Sequence, residues 1–331
     1  MATNVPFDLN AASDLTDLSI QDIWLKSPSD KKEYHKDFYY VDPVDDYIVK
    51  DSSITAVKTF SKVAENGAIP AGSPHQGFDK TYTQSFFSGM LRITRPMWRY
   101  GIKARKLESL VKELKNDAVR FREQILANPI NNLSSTSYTD TTGQLSFVVT
   151  NTGGDGDAPN STSHTREDGG TDWNNQLTDG TTVNMDFDYD AWKAALKTAQ
   201  AINGGVGEIL DITLDKLLCK KNSSVHHRAM EVLATMRKGD QPNTANREGS
   251  IDGVFSIVPN PYLTSDIVYD LFDSSMIGPK FGFQLKQGMD LQLDPQFVDY
   301  DTKEMKYSSG MDFAFGFNDL RGHVLSTGAN A

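Results

Sequence analysis

TRPMWRYGIKARKLESLVKELKNDAVRFREQILANP, residues 94–129, is the stretch on which the reading of this chain turns. Thr94 can cap a helix, and Pro96 suits a first turn because its missing amide hydrogen would have been unpaired there. Leu107, Leu110, Val111, Leu114, Ala118, Phe121 and Ile125 recur at steps of three and four and so share one apolar stripe. Gly101 marks a kink or the true start. Asn128-Pro129 is expected to stop the helix near Ala127, since proline cannot donate and restricts its predecessor. At 1.5 Å per residue such a helix spans about 45 Å. Within the span from Arg92 to Arg122, Arg92, Arg95, Arg99, Lys103, Arg105, Lys106, Lys112, Lys115, Arg120 and Arg122 oppose only Glu108, Glu113 and Asp117. That basic face either stays solvated or meets an acidic surface.

Working outward, residues 1 to about 48 mix Asp, Ser, Lys and Tyr without a sustained period and read as an arm that needs another surface to order it. Trp24 and Phe38-Tyr39-Tyr40 are its expected anchors. Two strands, 54–63 and 80–94, flank a tip at 66–77 built from Gly, Pro, Ser and Asn. A lone two-stranded arm is marginal in water, so it is predicted to lean on a neighbouring subunit.

Downstream of the helix, residues 131–180 form a polar tract broken by one apolar strand at 145–149. Asp155, Asp157, Glu167, Asp168, Asp172 and Asp179 face only Arg166 there, and the tract reads as a solvent-exposed insertion. A second helix begins at Asp188 or Asp190 and ends before Asn203-Gly204-Gly205. Short strands are expected between Glu208 and Cys219, and Ser223-Ser224 caps a third helix reaching about Met236. The last hundred residues read as strands at 253–258, 268–272, 281–285, 289–293, 304–307 and 311–317. This order of elements is an α+β layout.

The chain has 331 residues, 38% hydrophobic and 23% charged, enough for one large or two modest cores. A net charge of -11 disfavours nucleic-acid seeking by the molecule as a whole. Cys219 stands alone, so an intramolecular disulfide framework is excluded. No secretory signal or bilayer-spanning run is read, and synthesis in a cytoplasm is expected, which leaves the sequons at Asn132, Asn160 and Asn222 little meaning.

Chemistry is sparse. Asp155-Gly156-Asp157 starts like a calcium loop, but Asn160 stands where glycine is required and Arg166 where glutamate should be. Gly204-Gly205-Val206-Gly207 lacks the spacing of a phosphate or dinucleotide loop. His226 and His227 are adjacent and point apart on a helix. Asp186, Asp188 and Asp190 are explained by a helix start. No catalytic, cofactor or metal residues are assigned, and an enzyme is disfavoured.

Several segments, in order, resemble the major capsid protein of tailed double-stranded DNA bacteriophages, whose fold is shared with encapsulins and the herpesvirus capsid floor. Phe86–Asn128 resembles the returning strand of an extended loop leading into a long spine helix. Tyr138–Gly143, Ser163-His164 and Asn174–Leu177 resemble an Asp-Gly region, a His and an Asn-rich turn. Asp215–Cys219 with Ala229–Leu233 resembles the opening of an axial domain, and Phe313–Gly322 resembles a closing Phe-Gly and Asp-x-Arg-Gly pattern. The acidic insertion before Trp173 and the basic Arg95–Trp98 depart from the pattern.

The resemblance implies an N-terminal arm (1–48), an extended hairpin loop (49–94), a peripheral domain with the spine helix (95–185), a mainly axial domain (186–300) and return strands (301–331). It implies hexamers and pentamers tiling an icosahedral head around double-stranded DNA, with a separate scaffolding protein, a portal and decoration proteins as partners, no membrane, and the virion as location. Trp24, Phe38, Tyr39, Ile69, Phe86, Phe87, Arg92, Arg99, Lys103 and Arg105 are the expected inter-subunit residues. Lys58, Lys62 or Lys80 would be the donors if subunits were cross-linked as in certain relatives. An encapsulin-like compartment, or a hydrolase or carbohydrate-binding domain built on the acidic insertion, are the alternatives.

Overall fold

The computed structural model describes residues 24–26, 29–54, 60–63, 65, 67–69, 71–72, 76–96, 104–234, 255–295, 297–299, 301–302 and 304–328. The strands are β1 (Tyr39–Pro43), β2 (Ile48–Ile54), β3 (Gln76–Thr83), β4 (Ser85–Ile93), β5 (Ser137–Asp140), β6 (Phe147–Thr150), β7 (Lys216–Lys220), β8 (Ser256–Asn260), β9 (Tyr269–Phe272), β10 (Phe283–Leu293), β11 (Phe297–Val298), β12 (Met305–Phe317) and β13 (His323–Ser326). The helices are α1 (Ala104–Asn131), α2 (Tyr189–Ala201) and α3 (Ser224–Ala234). The chain divides into two compact units. One draws on Met1–Glu33, Gln84–Glu123 and Gln287–Ala314, the other on Tyr34–Thr83, Gln124–Lys286 and Phe315–Ala331.

In the first unit β12 pairs antiparallel with β4, from Met305 opposite Ile93 to Phe313 opposite Ser85, and its start also pairs with β11. Trp24, Ile93, Val111 and Tyr307 make a buried cluster, with Leu91, Leu114, Leu291, Leu293 and Met305 packed on it. The α1 stripe supplies Val111 and Leu114, as its period predicts. Phe87 stacks on Phe313 at 4.6 Å between centroids and meets Phe121 edge-on at 5.5 Å.

The second unit is built on a four-stranded sheet, β13-β9-β7-β8, in which β7 and β8 run parallel and the other pairs antiparallel. Leu217, Leu218, Leu271, Phe272, Val324 and Leu325 are almost fully removed from water there. The Asp188 carboxylate accepts from Ala191 N at 2.7 Å and caps α2, while Ser223 Oγ accepts from His226 N at 3.1 Å at the start of α3. The helix buries Trp192, Ala195 and Ala199, and Trp192 lies 4.8 Å from Phe255.

Four sequence expectations shift. Proline does not stop α1, which runs through Pro129 to Asn131. Orphan carbonyls of the last turn find other donors, Asn132 N giving to Asn128 O at 3.1 Å and Asn151 Nδ2 to Pro129 O at 3.3 Å, and one turn earlier Tyr39 Oη adds a bond to Leu126 O at 3.0 Å. The hairpin's first strand is β2, six residues earlier than expected, and residues 60–63 are not in a strand. The expected pairs of short strands at 281–293 and 304–317 are the single strands β10 and β12. Their glycines permit close approach rather than a turn: a Cβ on Gly310 would fall 2.7 Å from the Phe86 ring, and one on Gly288 would touch Asp312 Cβ at 3.4 Å. Of the two strands expected between Glu208 and Cys219, only β7 forms.

Candidate assembly surfaces and a buried charge cluster

The β2–β3 hairpin is a two-stranded sheet, paired from Ile48 opposite Thr83 to Ile54 opposite Gln76. Polar bonds hold it. Asp79 receives Lys50 Nζ at 2.6 Å, Ser52 Oγ at 2.5 Å and Gln76 Nε2 at 3.0 Å. Those three donors, Lys50 foremost, pull the Asp79 carboxyl down to about 2. At its base Lys286 Nζ, itself buried, pairs with Asp42 at 2.8 Å and Asp51 at 3.6 Å and sits over the buried Tyr82 ring. Tyr47, Ile48, Phe60 and Ile69 by contrast lie open to solvent, Ile69 at 86% and Phe60 fully. These side chains have no cover within the described chain.

In the first unit Phe86 (63% exposed), Met90, Phe297 and Val298 leave apolar surface on β4 and β11. Arg92, on the same strand as Phe86, is exposed as well. The basic face of α1 is partly matched by acids of its own unit: Lys112 pairs with Asp30 at 2.8 Å, Arg120 with Glu113 at 2.5 Å, and Arg122 with Glu33 and, at 3.4 Å, Asp290. Lys115 gives to the Trp24 carbonyl at 3.0 Å.

The expected inter-subunit residues thus separate. Ile69, Phe86 and Arg92 are exposed. Trp24, Phe38 and Tyr39 are not available as surface anchors, because their own chain buries them: Trp24 in the cluster with Val111, and Tyr39 between Phe38 at 4.9 Å and Phe283 at 5.6 Å. Phe87 likewise spends its ring on Phe121 and Phe313. Arg99 and Lys103 lie outside the described residues, and Arg105 falls on α1 with its side chain outside them. Lys58 is outside them too. Lys62 is exposed, whereas Lys80 gives its ammonium to Thr152 O at 2.6 Å and is lowered in pKa by burial, against the opposing charge of Asp155.

The larger departure is the acidic tract. It is not a solvated insertion: Asn151, Asn160, His164, Trp173, Asn175 and Leu177 are buried. Arg321, 1% exposed, forks onto Glu167 at 2.7 and 3.1 Å and onto Asp319 at 2.8 Å. Its guanidinium lies 5.3 Å from the Trp173 ring, whose indole stacks at 4.3 Å on His164. Burial raises Asp319 to about 6 despite Arg321. Burial also works to raise Glu167, but the hydrogen bonds and charge of Arg321 prevail and leave it lowered. The sequence offers Arg166 as the cation of this tract. Arg166 does pair with Asp168 at 2.5 Å, but the buried partner comes from 154 residues away.

No protein-family model matches this sequence, and no curated protein matches it either. Solved structures do. The chain superposes on the capsid structure of the cyanophage P-SCSP1u with a TM-score of 0.53 and 11% identity, over 92% of this chain and 90% of that one. It matches a structure from Mycobacterium phage Patience with a TM-score of 0.53 and 12% identity, over 99% and 90%. The capsid of the empty GTA particle gives 0.52 and 12%, over 92% and 96%. At such identities sequence carries nothing, and fold carries the match: the chain has the α+β capsid fold of tailed phages.

Proposed function

We propose that the chain is a major capsid protein, the subunit that forms rings of five and six and tiles a closed head around double-stranded DNA. The observation that carries this reading is the match to phage and GTA capsid structures over nine-tenths or more of both partners. The exposed apolar side chains support it. Ile69 and Phe60 on the hairpin tip segment, and Phe86 and Phe297 on the first unit, are what a subunit covers when it joins neighbours in a closed, head-to-tail ring. The role is structural, and no reaction is assigned. Cationic side chains on α1 already spend charge on Asp30, Glu33 and Glu113, so pairing with a neighbour would set orientation more than affinity. A separate scaffolding protein and a portal are the partners this role entails, and the net charge of -11 keeps the lining weakly attractive to packaged DNA.

The test is electron microscopy of the full chain expressed alone and together with any scaffold encoded beside it. Closed shells or capsomer rings are expected. A monodisperse monomer under both conditions would overturn the proposal, and shells that enclose protein in place of DNA when purified from infected cells would assign a compartment role.

A further inference from the structure

Behind the Arg321 fork lies a second set of polar groups with a charge problem of its own. Asp155 Oδ2 sits 2.7 Å from His164 Nδ1, and one ligand-capable atom from each of Asp155, Asp157 and His164 falls within 4.8 Å of the others. The tautomer of His164 is fixed from behind. Asn175 Nδ2 donates to Pro159 O at 2.8 Å and Asn175 Oδ1 accepts from Ser161 N at 3.2 Å, so the amide has one orientation. Its Oδ1, 3.1 Å from His164 Nε2, can only accept, and Nε2 therefore carries the hydrogen. In a neutral ring Nδ1 then aims a lone pair at a carboxylate oxygen. The two must share a positive charge, a proton on the line between them or a metal ion beside it.

A proton would serve Nδ1 and Asp155 but nothing else. Asp157 has no hydrogen-bond donor on its carboxylate among the described residues, its only hydrogen bond to this cluster running from its backbone N to Asp155 Oδ1 at 3.1 Å. Asn318, 5% exposed, has an Oδ1 with no donor; a Cβ built on Gly154 would lie 2.1 Å from that oxygen, so it points at the loop that carries both aspartates. Asn318, Asp155 and His164 also line one small cavity. The surrounding cations are already committed: Arg321 to Glu167 and Asp319, Lys80 to Thr152, Arg166 to Asp168. Asp172 is held by Ser163 Oγ at 2.6 Å. One multivalent ion would satisfy donors that a single proton cannot.

We propose that Asp155, Asp157 and His164 hold one divalent first-row transition ion, with zinc or manganese as the fitting class. Imidazole with carboxylates suits those ions, whereas calcium sites are built from oxygens alone. Asn175 is the outer partner that orients the imidazole, as ligating histidines commonly require. The spread of 4.8 Å is about half an ångström wider than two opposed donors with bonds of about 2.1 Å would span. The unbonded Asp157 side chain can close that gap. Held this way, the ion ties the 153–157 loop to His164 and through Trp173 to the Arg321 network.

The test strips the full chain with chelator, in whatever assembly state it purifies, and titrates it with zinc and separately with manganese. About one ion per chain is expected, with affinity falling at least ~10-fold in Asp157→Asn and also falling in Asn175→Ala. A His226→Ala, His227→Ala double variant should bind as the wild type does. Asp157→Asn removes no hydrogen bond, so the metal-free melting temperature should not move. No stoichiometric binding of either ion, or undiminished binding by Asp157→Asn, would overturn the site. Nitrogen NMR of His164 supplies a wild-type reading: a neutral ring protonated at Nε2 is expected when loaded, and an imidazolium that saturating zinc leaves unchanged would assign a plain ion pair.

Discussion

The acidic tract and the β2–β3 hairpin look alike in sequence, both polar and turn-rich, yet the chain treats them oppositely. The tract buries its charges against partners, Arg321 on Glu167 from 154 residues away and His164 on Asp155 within the tract itself. The hairpin keeps its polar bonds near the surface at Asp79 and leaves Ile48, Phe60 and Ile69 in water. A polar composition therefore does not distinguish a self-contained region from an incomplete one. What distinguishes them is whether each group left over has a partner in the same chain.

The largest effect should come from breaking the self-contained side. Arg321→Met removes the cation that forks onto Glu167 and leaves two buried carboxylates uncompensated, a loss of about 3–5 kcal/mol in stability. Denaturant unfolding of the soluble chain, or failure to accumulate as soluble protein, would show it; a shift under 1 kcal/mol would mean that Glu167 and Asp319 are neutral in the fold. Tyr39→Phe removes one buried bond to the end of α1 and should cost about 1 kcal/mol by the same measurement.

Acid sharpens the contrast at the hairpin. Asp79 is held at about 2 in the fold against an ordinary 3.8, so its contribution is present in full above about pH 4 and disappears as pH falls toward 2. Asp79→Asn should remove that pH dependence, read as hydrogen-exchange protection of β2 and β3 amides between pH 4 and pH 2.5, while β7 amides stay unchanged. Smallest in stability is Ile69→Asp or Phe86→Ser, each expected to leave the unfolding free energy of the dissociated chain within about 0.5 kcal/mol of wild type. Their effect is on assembly, with fewer closed particles by light scattering.

Local signals were legible where local physics decides the outcome. The Asp188 cap, the Ser223 cap and the apolar stripe through Val111 and Leu114 follow from spacing and side-chain chemistry alone. Element ends were less so. The helix continues past Pro129 to Asn131 where Asn151 supplies a donor to the Pro129 carbonyl, and Asn151 is not its neighbour in sequence. Gly288 and Gly310 fall in the gaps between the expected short strands, yet they allow Gln84, Asp312 and Phe86 to approach a continuous strand. Least legible was the buried cluster. Glu167 and Arg321 are 154 positions apart, and the pattern around Asn318 to Gly322 suggested a closing motif without naming what it closes upon. Phe38 and Tyr39 were expected on a neighbour for the same reason: an aromatic pair looks alike whether its cover is Phe283 or another copy.

The central claim is that the hairpin is completed by other copies of the chain. Hydrogen exchange of residues 48–54 and 76–83, compared between assembled particles and the dissociated chain under one buffer, measures this most directly. Protection there should rise by at least tenfold on assembly while residues 216–220 in the central sheet stay the same. Equal protection of the hairpin in the dilute, dissociated chain would contradict the account.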